Sequence, residues 1–583
     1  MISKVYANLL IARSPLMNSP GFRSALLFGV FPFLLLVSGL FSQFFLAVFS
    51  SYALGVVAAS IELIAVAFWL TNGPTFTLMK SRAFRIGAGI WVVVGFLSAV
   101  LAQYNVTAAI FAQLQWLLHL LFVLALVDLF RKTEEAFLPM QWAVIATSLA
   151  VVGFYLSLWF SLESPESFDW FGSPIPFPHI RHFGYIAALA CLVAGVHYYE
   201  SGLKQVGGAI SLGVVVVLFA ALVWAGGRAS IGAVLVGWGV FAVYSLRAGI
   251  PWARIGMLAV AMFAGLLLSN LFAVDDERMG LSMAHGKEVS ELSVNQFTSG
   301  RLEIWRRSIE NVIEYSIPFG VGPSNFRYAP SSFSGTEQAH SVIFQSISDW
   351  GVLGGSVFLG FLVFLVWLVL KSLIKRGEAA GGFKLGVAIA SVSGYLFLGL
   401  FDGNFYYSWS LLLVLPAAAW MLSRELKCTE SQAVEAPVSE RSPMKAAAGV
   451  SFAVCLLATL ILGVNATTVF SKPEPEVRSW QSELVLTFPV ITMNVDQWLK
   501  PWLKADTQQG LRLLGWLKRY HREGYKFYLV EAEMLDQIGK PTLAKKTAQQ
   551  AYDLAGPYNH SRVTDMLMDG GFEKWIQSPG VVK

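Results

Sequence analysis

Charge is scarce in this chain. Asp, Glu, Lys and Arg make up 14% of its 583 residues, where soluble domains carry about a quarter, and 55% of the residues are hydrophobic. The mean hydropathy of +0.59 agrees. A soluble globular protein is thereby excluded, and a polytopic membrane protein is expected. Cysteine is scarcer still. Cys191, Cys428 and Cys455 fall in or beside apolar segments, with no spacing that suggests a disulfide framework or a thiolate metal site. The first 21 residues lack a compact apolar core followed by small residues, so no cleavable signal peptide is expected and the first span serves as the signal. The Walker spacing and its Gly-Lys-Ser/Thr ending are also missing, which removes a nucleotide-binding phosphate loop.

What remains is long apolar runs. A bilayer-spanning helix needs about 20 apolar residues, and qualifying runs lie near 22–43, 50–71, 84–102, 107–130, 139–161, 181–199, 206–225, 229–247, 253–274, 350–373, 383–401, 405–423 and 444–466. The expected fold class is an all-α polytopic membrane protein of about 12–13 transmembrane helices. Lys and Arg collect on alternate connections. One side receives Lys4, Arg13, Arg23, Lys80, Arg82, Arg85, Arg131, Lys132, Lys204, Arg247, Arg254, Lys371, Lys384, Arg424, Lys427 and Lys445, while the short loops of the other side offer Arg181 and Arg228. The positive-inside rule puts the N-terminus in the cytoplasm. The expected organisation is an N-terminal transmembrane bundle (1–274), an external loop (275–346), further transmembrane helices (347–466) and an external helical tail (467–583). The tail opens with the linker-like Lys472-Pro473-Glu474-Pro475. Its small residues Ala532, Ala544 and Ala551 around Gly539 resemble one tetratricopeptide-like hairpin, suited to packing or partner docking.

The polar insertion 275–346 interrupts the membrane pattern and concentrates candidate chemistry. Thr298, Ser299 and Gly300 are capping residues, after which Leu302, Trp305, Ile309 and Val312 recur at helical spacing, so an amphipathic helix is expected to start at Arg301. A cation in a first turn sits at the unfavourable end of the macrodipole, a tension that a bound anion removes. A surface pairing with Glu303 is the plainer alternative. Arg228 lies in Trp224-Ala-Gly-Gly-Arg228-Ala-Ser, a short junction between two apolar spans. A charge so placed faces a cavity, a partner or lipid headgroups. Arg181 has the same character, and the three arginines together suit a diphosphate. His340 stands where the insertion re-enters the membrane. Imidazoles titrate near neutrality, which suits a general base for a hydroxyl, although a lone histidine is more often structural. His179 and His182 share i, i+3 spacing but lack a companion carboxylate or cysteine at ligand spacing, so phosphate or sugar contacts are expected of them, and no metal. Pro318-Phe-Gly320-Val-Gly322-Pro323 marks a chain reversal. Asp402 and Asn404 read as helix caps on the outer face, and Trp170, Phe171, Phe177, Trp305 and Phe326 as interfacial anchors or sugar platforms.

Taken together, Gly227-Arg228-Ala-Ser, Ser299-Gly-Arg301-Leu-Glu-Ile-Trp305, Pro318-Phe-Gly-Val-Gly322 and Ala339-His340 followed by Gly351-Val-Leu-Gly354 resemble the O-antigen ligase/O-antigen polymerase superfamily of bacterial membrane glycosyltransferases. The resemblance covers about residues 180–425. Ser341 departs from the asparagine often found after the loop histidine. An extra span with an external tail is more reminiscent of the polymerase and protein O-oligosaccharyltransferase branches. The resemblance implies a GT-C-like fold in the inner membrane and transfer of a glycan from undecaprenyl diphosphate to an acceptor hydroxyl at the periplasmic face, with inversion and without metal or other cofactor. It implies His340, Arg301 and Arg228 as catalytic residues, and Arg181, His182, Arg228, Arg301, Gly320 and Gly322 as contacts to the diphosphate or sugar. The implied partners are the lipid-linked glycan, membrane lipid, an acceptor (lipid A-core, growing polysaccharide or protein serine), and polysaccharide-assembly proteins through the tail. Nucleic acid is not among them. The rival of another class is a lipid-linked glycan transporter or flippase, against which stand the missing internal repeat and the missing paired intramembrane carboxylates.

Overall fold

The computed structural model describes residues 51–170, 177, 179–247, 251–275, 279–280, 300–328, 338–374, 382–430, 441–471, 511, 514–515, 518 and 524–555. The expected span at 22–43, the Lys472–Pro475 linker, Phe171 and the Thr298–Ser299 pair lie outside them. Among the described residues the regular structure is entirely helical. Longer helices run as α1 (Ser51–Thr71), α2 (Arg82–Val100), α3 (Val106–Lys132), α4 (Phe137–Ser161), α5 (Ile180–Ser201), α6 (Val206–Trp224), α7 (Arg228–Arg247) and α8 (Trp252–Ser269). They continue as α9 (Arg301–Tyr315), α10 (Val342–Ile374), α11 (Gly382–Phe401), α12 (Ser408–Glu430), α13 (Arg441–Ser471), α14 (Gly524–Gln537) and α15 (Pro541–Ala555). Eleven of these are long and apolar enough to cross a membrane, and the chain is a multi-pass membrane protein. The expected span at 405–423 is helical as α12, but Ser408, Ser410, Pro416, Arg424 and Glu425 dilute its hydropathy, so it is not among the eleven.

The helices pack through small residues. Between α7 and α11, a Cβ on Gly237 would stand 2.7 Å from Ala390 O and one on Gly394 2.7 Å from Ala233 O. Glycine lets these two backbones approach to van der Waals contact, the way membrane helices gain cohesion when apolar burial favours no partner over lipid. The helix ends also differ in charge. At one end, Lys427 pairs with Glu134 at 2.5 Å, Lys371 with Glu425, Arg247 caps the Leu373 carbonyl and Arg254 caps Tyr199. Asp128 ties the α1–α2 connection there, accepting from Trp69 Nε1, Thr75 N and Phe76 N at 2.7–2.9 Å. The opposite end holds Arg181, Arg228, Arg301, His340 and Asp402.

Helix α10 departs from expectation. It begins at Val342 rather than near 350, and it is broken at Gly351 (φ 65°, ψ −169°), a conformation essentially reserved for glycine. The bend Ile317–Val321 fills the break: Val352 N donates to Ile317 O (2.9 Å), Leu353 N to Pro318 O (3.3 Å) and Val321 N to Ser348 O (2.8 Å). Ser98 Oγ of α2 lies 2.6 Å from both Phe319 O and Asp349 O. Backbone groups released inside a bilayer need such partners, because lipid supplies none. Around Gly539 (φ 76°), α14 and α15 close on Ala532, Ala544, Ala548 and Ala551, the hairpin expected from the sequence. A Cβ at Gly351 would meet Pro318 O at 2.4 Å, whereas one at Gly360 meets nothing within 4 Å. Gly351→Ala is therefore expected to lower stability by about 1–3 kcal/mol or more, read as a lower Tm of the purified protein in detergent, while Gly360→Ala leaves Tm within the error of the measurement.

Candidate active site

Three helix starts place the arginines. Arg228 is the first residue of α7, Arg301 the first of α9 and Arg181 the second of α5. Gly300 (φ 76°) is the N-cap of α9 and supplies no side-chain cap. The helix is instead held from its side. Trp305 Nε1 donates to Ala339 O at 3.0 Å, its ring stacks on Phe344 at 5.0 Å, and Ile304 packs with Phe326, Ala339 and Phe344. Trp305 is thus an anchor for α9 rather than a sugar platform. Trp170, Phe177 and Phe326 are likewise 1–2% exposed, in the protein interior. Glu303 accepts from Arg306 and Arg307, and those hydrogen bonds lower its carboxyl to about 2. Arg301 is left pointing elsewhere, with Nη2 3.9 Å from Asp402 Oδ2.

His340 occupies the second position of interest. It precedes α10 by two residues, with φ 49°, a left-handed conformation that costs a non-glycine residue energy and marks functional sites more often than chance. Its neighbours hold it there: Ala339 N donates to Gln345 Oε1 at 2.7 Å, Ala339 O accepts from Trp305, and Ser341 O caps Gln345 N at 2.8 Å. His340 Nδ1 lies 3.3 Å from Asp402 Oδ1. Asp402 also accepts from Gly403 N at 2.8 Å. Burial raises its carboxyl, but the His340 hydrogen bond and charge, Arg301 and the Gly403 N–H outweigh burial and hold it well below the ordinary aspartate value. An Asp402 that stays ionised both orients His340 and stabilises the imidazolium it forms on taking up a proton.

Arg181 stands within electrostatic reach of Asp402, Arg228 and Arg301, so the structure brings the three arginines and the His340–Asp402 pair to one place. Each arginine sits at the helix end where a cation is least favoured, and they repel one another. A polyanion relieves both penalties at once. His182 lies one turn into α5, its ring 4.5 Å from that of Tyr407, with Nδ1 buried and without a partner. His179 is the N-cap of α5, its Nδ1 accepting from Arg181 N at 3.1 Å, and its ring lies 5.8 Å from that of His182. Gly320 and Gly322 lie against the neighbouring backbones: a Cβ at Gly320 would meet Ser348 O at 2.2 Å and one at Gly322 would meet Ala102 Cβ at 2.5 Å. Their absent side chains seat the bend on α10 and α2.

Asp402 is the site residue whose role the sequence did not disclose. It does cap Gly403, and nothing local says that it also meets a histidine 62 positions away. A cavity of about 120 Å³ opens beside the pair, with Tyr406, Tyr407, Gln338 and Gln345 in its wall. A second, apolar cavity of about 240 Å³ lies between α4, α6 and α8 against Trp224, close in sequence to Arg228.

A family model described as O-antigen ligase matches residues 213–359. Over that segment the chain is similar to the O-antigen ligase family. No curated protein matches the chain in a sequence search. The matched segment includes Arg228, Arg301 and His340, while Arg181 and Asp402 lie on either side of it. Inorganic pyrophosphate, titrated against the purified protein, is expected to raise Tm by binding the arginine cluster. Arg228→Ala and Arg301→Ala are each expected to weaken that binding about tenfold, or about 1.4 kcal/mol, with Arg306→Ala unchanged because its guanidinium is engaged by Glu303 and Glu310.

Proposed function

We propose that the protein is a glycosyltransferase that moves a glycan from an undecaprenyl diphosphate carrier to an acceptor hydroxyl, at the periplasmic face of the bacterial inner membrane. The observation that carries this reading is the convergence of Arg301 and His340 on one carboxylate, Asp402. That convergence puts a proton acceptor next to an anion-binding cluster. The ligase-domain match supports the reaction class. Orientation follows from the two ends of the bundle. The end rich in Lys and Arg is the cytoplasmic one, so the site and the tail beyond α13 face the periplasm. The chain is then organised as a transmembrane bundle (1–274), a catalytic loop (275–346), further transmembrane helices (347–466) and a helical tail (467–583).

In this mechanism Arg181, Arg228 and Arg301 grip the two phosphates. With Nδ1 turned to Asp402, Nε2 of His340 takes the proton from the acceptor hydroxyl. The freed oxygen attacks the anomeric carbon from the face opposite the diphosphate, the carbon–oxygen bond to the carrier breaks, and the configuration inverts. Undecaprenyl diphosphate leaves with its added charge met by the guanidinium groups, an electrostatic stabilisation that is greatest when the bond is breaking. The apolar cavity beside Trp224 is suited to the first isoprene units, next to the arginine that holds their phosphate. Lipid A-core, a growing polysaccharide and a protein serine each present a hydroxyl of the required kind. The test is transfer of a labelled lipid-linked glycan in proteoliposomes. His340→Ala is expected to lower the rate at least 10²-fold, about what a general base contributes, while binding of the lipid diphosphate persists. Undiminished transfer by that variant would remove His340 as the base.

A further inference from the structure

The cavity beside His340 continues inward between α1, α3, α10 and α13, past Asp349, Trp350 and Gln115 to His119, with Gly55 and Leu462 in its far wall. At its floor is a second histidine–carboxylate pair. His119 Nδ1 lies 2.7 Å from Glu62 Oε1, and the two side chains are 6% and 0% exposed. A buried histidine–carboxyl pair at bilayer depth is a costly way to join two helices, since apolar side chains of similar volume do so at least as well. Because Nδ1 is taken by Glu62, Nε2 is the edge that His119 presents to the cavity it lines. One further polar atom of a lining residue, Gln338 Oε1, is buried without a partner, and so is Glu62 Oε2 on the carboxyl that backs His119. Buried polar groups in that condition call for a ligand or water.

The lining also says what kind of ligand. Among the described residues its carboxyls are Asp349 and Asp402, its amides Gln115, Gln338 and Gln345, and its hydroxyls those of Ser324, Ser341, Ser346, Ser408, Tyr406 and Tyr407. Arg327 is the guanidinium in the wall, and it donates to Tyr406 Oη at 3.3 Å. Arg181, Arg228 and Arg301 stand outside it. Trp116, half-buried against the fully buried Trp350 (edge to face, 5.3 Å), offers an indole surface of the kind that packs on the C–H faces of pyranose rings. Phosphate belongs with the arginines on one side of His340, and an uncharged polyol belongs with the amides, carboxyls and indole on the other.

We infer that this cavity binds a neutral, polyhydroxylated sugar of the acceptor, with His119, backed by Glu62, and Gln115 hydrogen-bonding ring hydroxyls beyond the one that His340 deprotonates. The inference rests on the glycosyl-transfer reading above. It selects a neutral glycan acceptor over a phosphorylated core sugar or a peptide serine.

The full chain in proteoliposomes, supplied with labelled undecaprenyl-diphosphate-linked glycan, would be offered three acceptors: the same glycan released from its carrier, that glycan phosphorylated on one ring, and a serine peptide. The released neutral glycan is expected to be the preferred acceptor. His119→Ala and Gln115→Ala should each raise its KM about tenfold, the cost of a hydrogen bond to a buried partner, with kcat at saturating acceptor and the donor KM within about twofold of the unsubstituted protein. His119→Gln, which keeps a hydrogen-bonding group, should recover part of the loss. Gln115→Ala lies outside the His119–Glu62 pair and provides the test if His119→Ala does not fold. An unchanged acceptor KM in the folded variants, or preference for the phosphorylated glycan or the peptide, overturns the inference and leaves glycosyl transfer standing. Absence of transfer by the unsubstituted protein to all three acceptors overturns both.

Discussion

The rest of the site depends on the break in α10 at Gly351. A helix interrupted within a membrane must find new partners for its freed N–H and C=O groups, and here the partners come from a single bend, Ile317–Val321, donated across the break. That requirement fixes a polar connecting segment against the bundle. Once the bend is pinned, α9 is fixed at its C-terminal end, and the turn that leads into α10 carries His340 to the same place. Glycine at 320 and 351 is what makes the contact close enough, since a Cβ at either position would run into opposing backbone at 2.2–2.4 Å.

The charges are arranged around that scaffold in an order that electrostatics explains. Cations at one end of the bundle pair with acids or cap carbonyls at helix C-termini, as with Arg247 on Leu373 and Arg254 on Tyr199, where the dipole welcomes them. The arginines at the other end begin helices, where the dipole opposes them. Such a placement is a local violation of the rules that stabilise helices, and local violations concentrate where a protein binds or reacts. Asp402 tempers the cluster and, through His340, joins it to a proton acceptor. The small-residue packing of α7 on α11 keeps this arrangement stiff, because backbones in contact have little room to slide.

Much of the architecture was legible in the order of the residues. Apolar runs placed α1 to α8 and α11 to within a few residues, the periodicity of Leu302, Trp305 and Ile309 started α9 at Arg301, and the alanines around Gly539 disclosed the terminal hairpin. Arg228 stood out because a lone cation in a short junction has few inexpensive explanations. What stayed hidden was of one kind. The His340–Asp402 and Glu62–His119 pairs join residues 62 and 57 positions apart, and only tertiary packing aligns them. Gly351-Val-Leu-Gly354 reads as ordinary small-residue packing until Pro318 is seen against it. Trp305 looked like a membrane anchor because its partner, Ala339 O, is a backbone atom with no signature in sequence.

The hydrogen bond from Trp305 to Ala339 has a consequence for the spacing within the site. It joins the helix that begins with Arg301 to the residue immediately before His340, and so sets the span between those two side chains by a short internal strut. Length and composition of the chain upstream of Gly300 do not enter that span. A change in the chain there therefore leaves the spacing of Arg301 and His340 as the strut sets it.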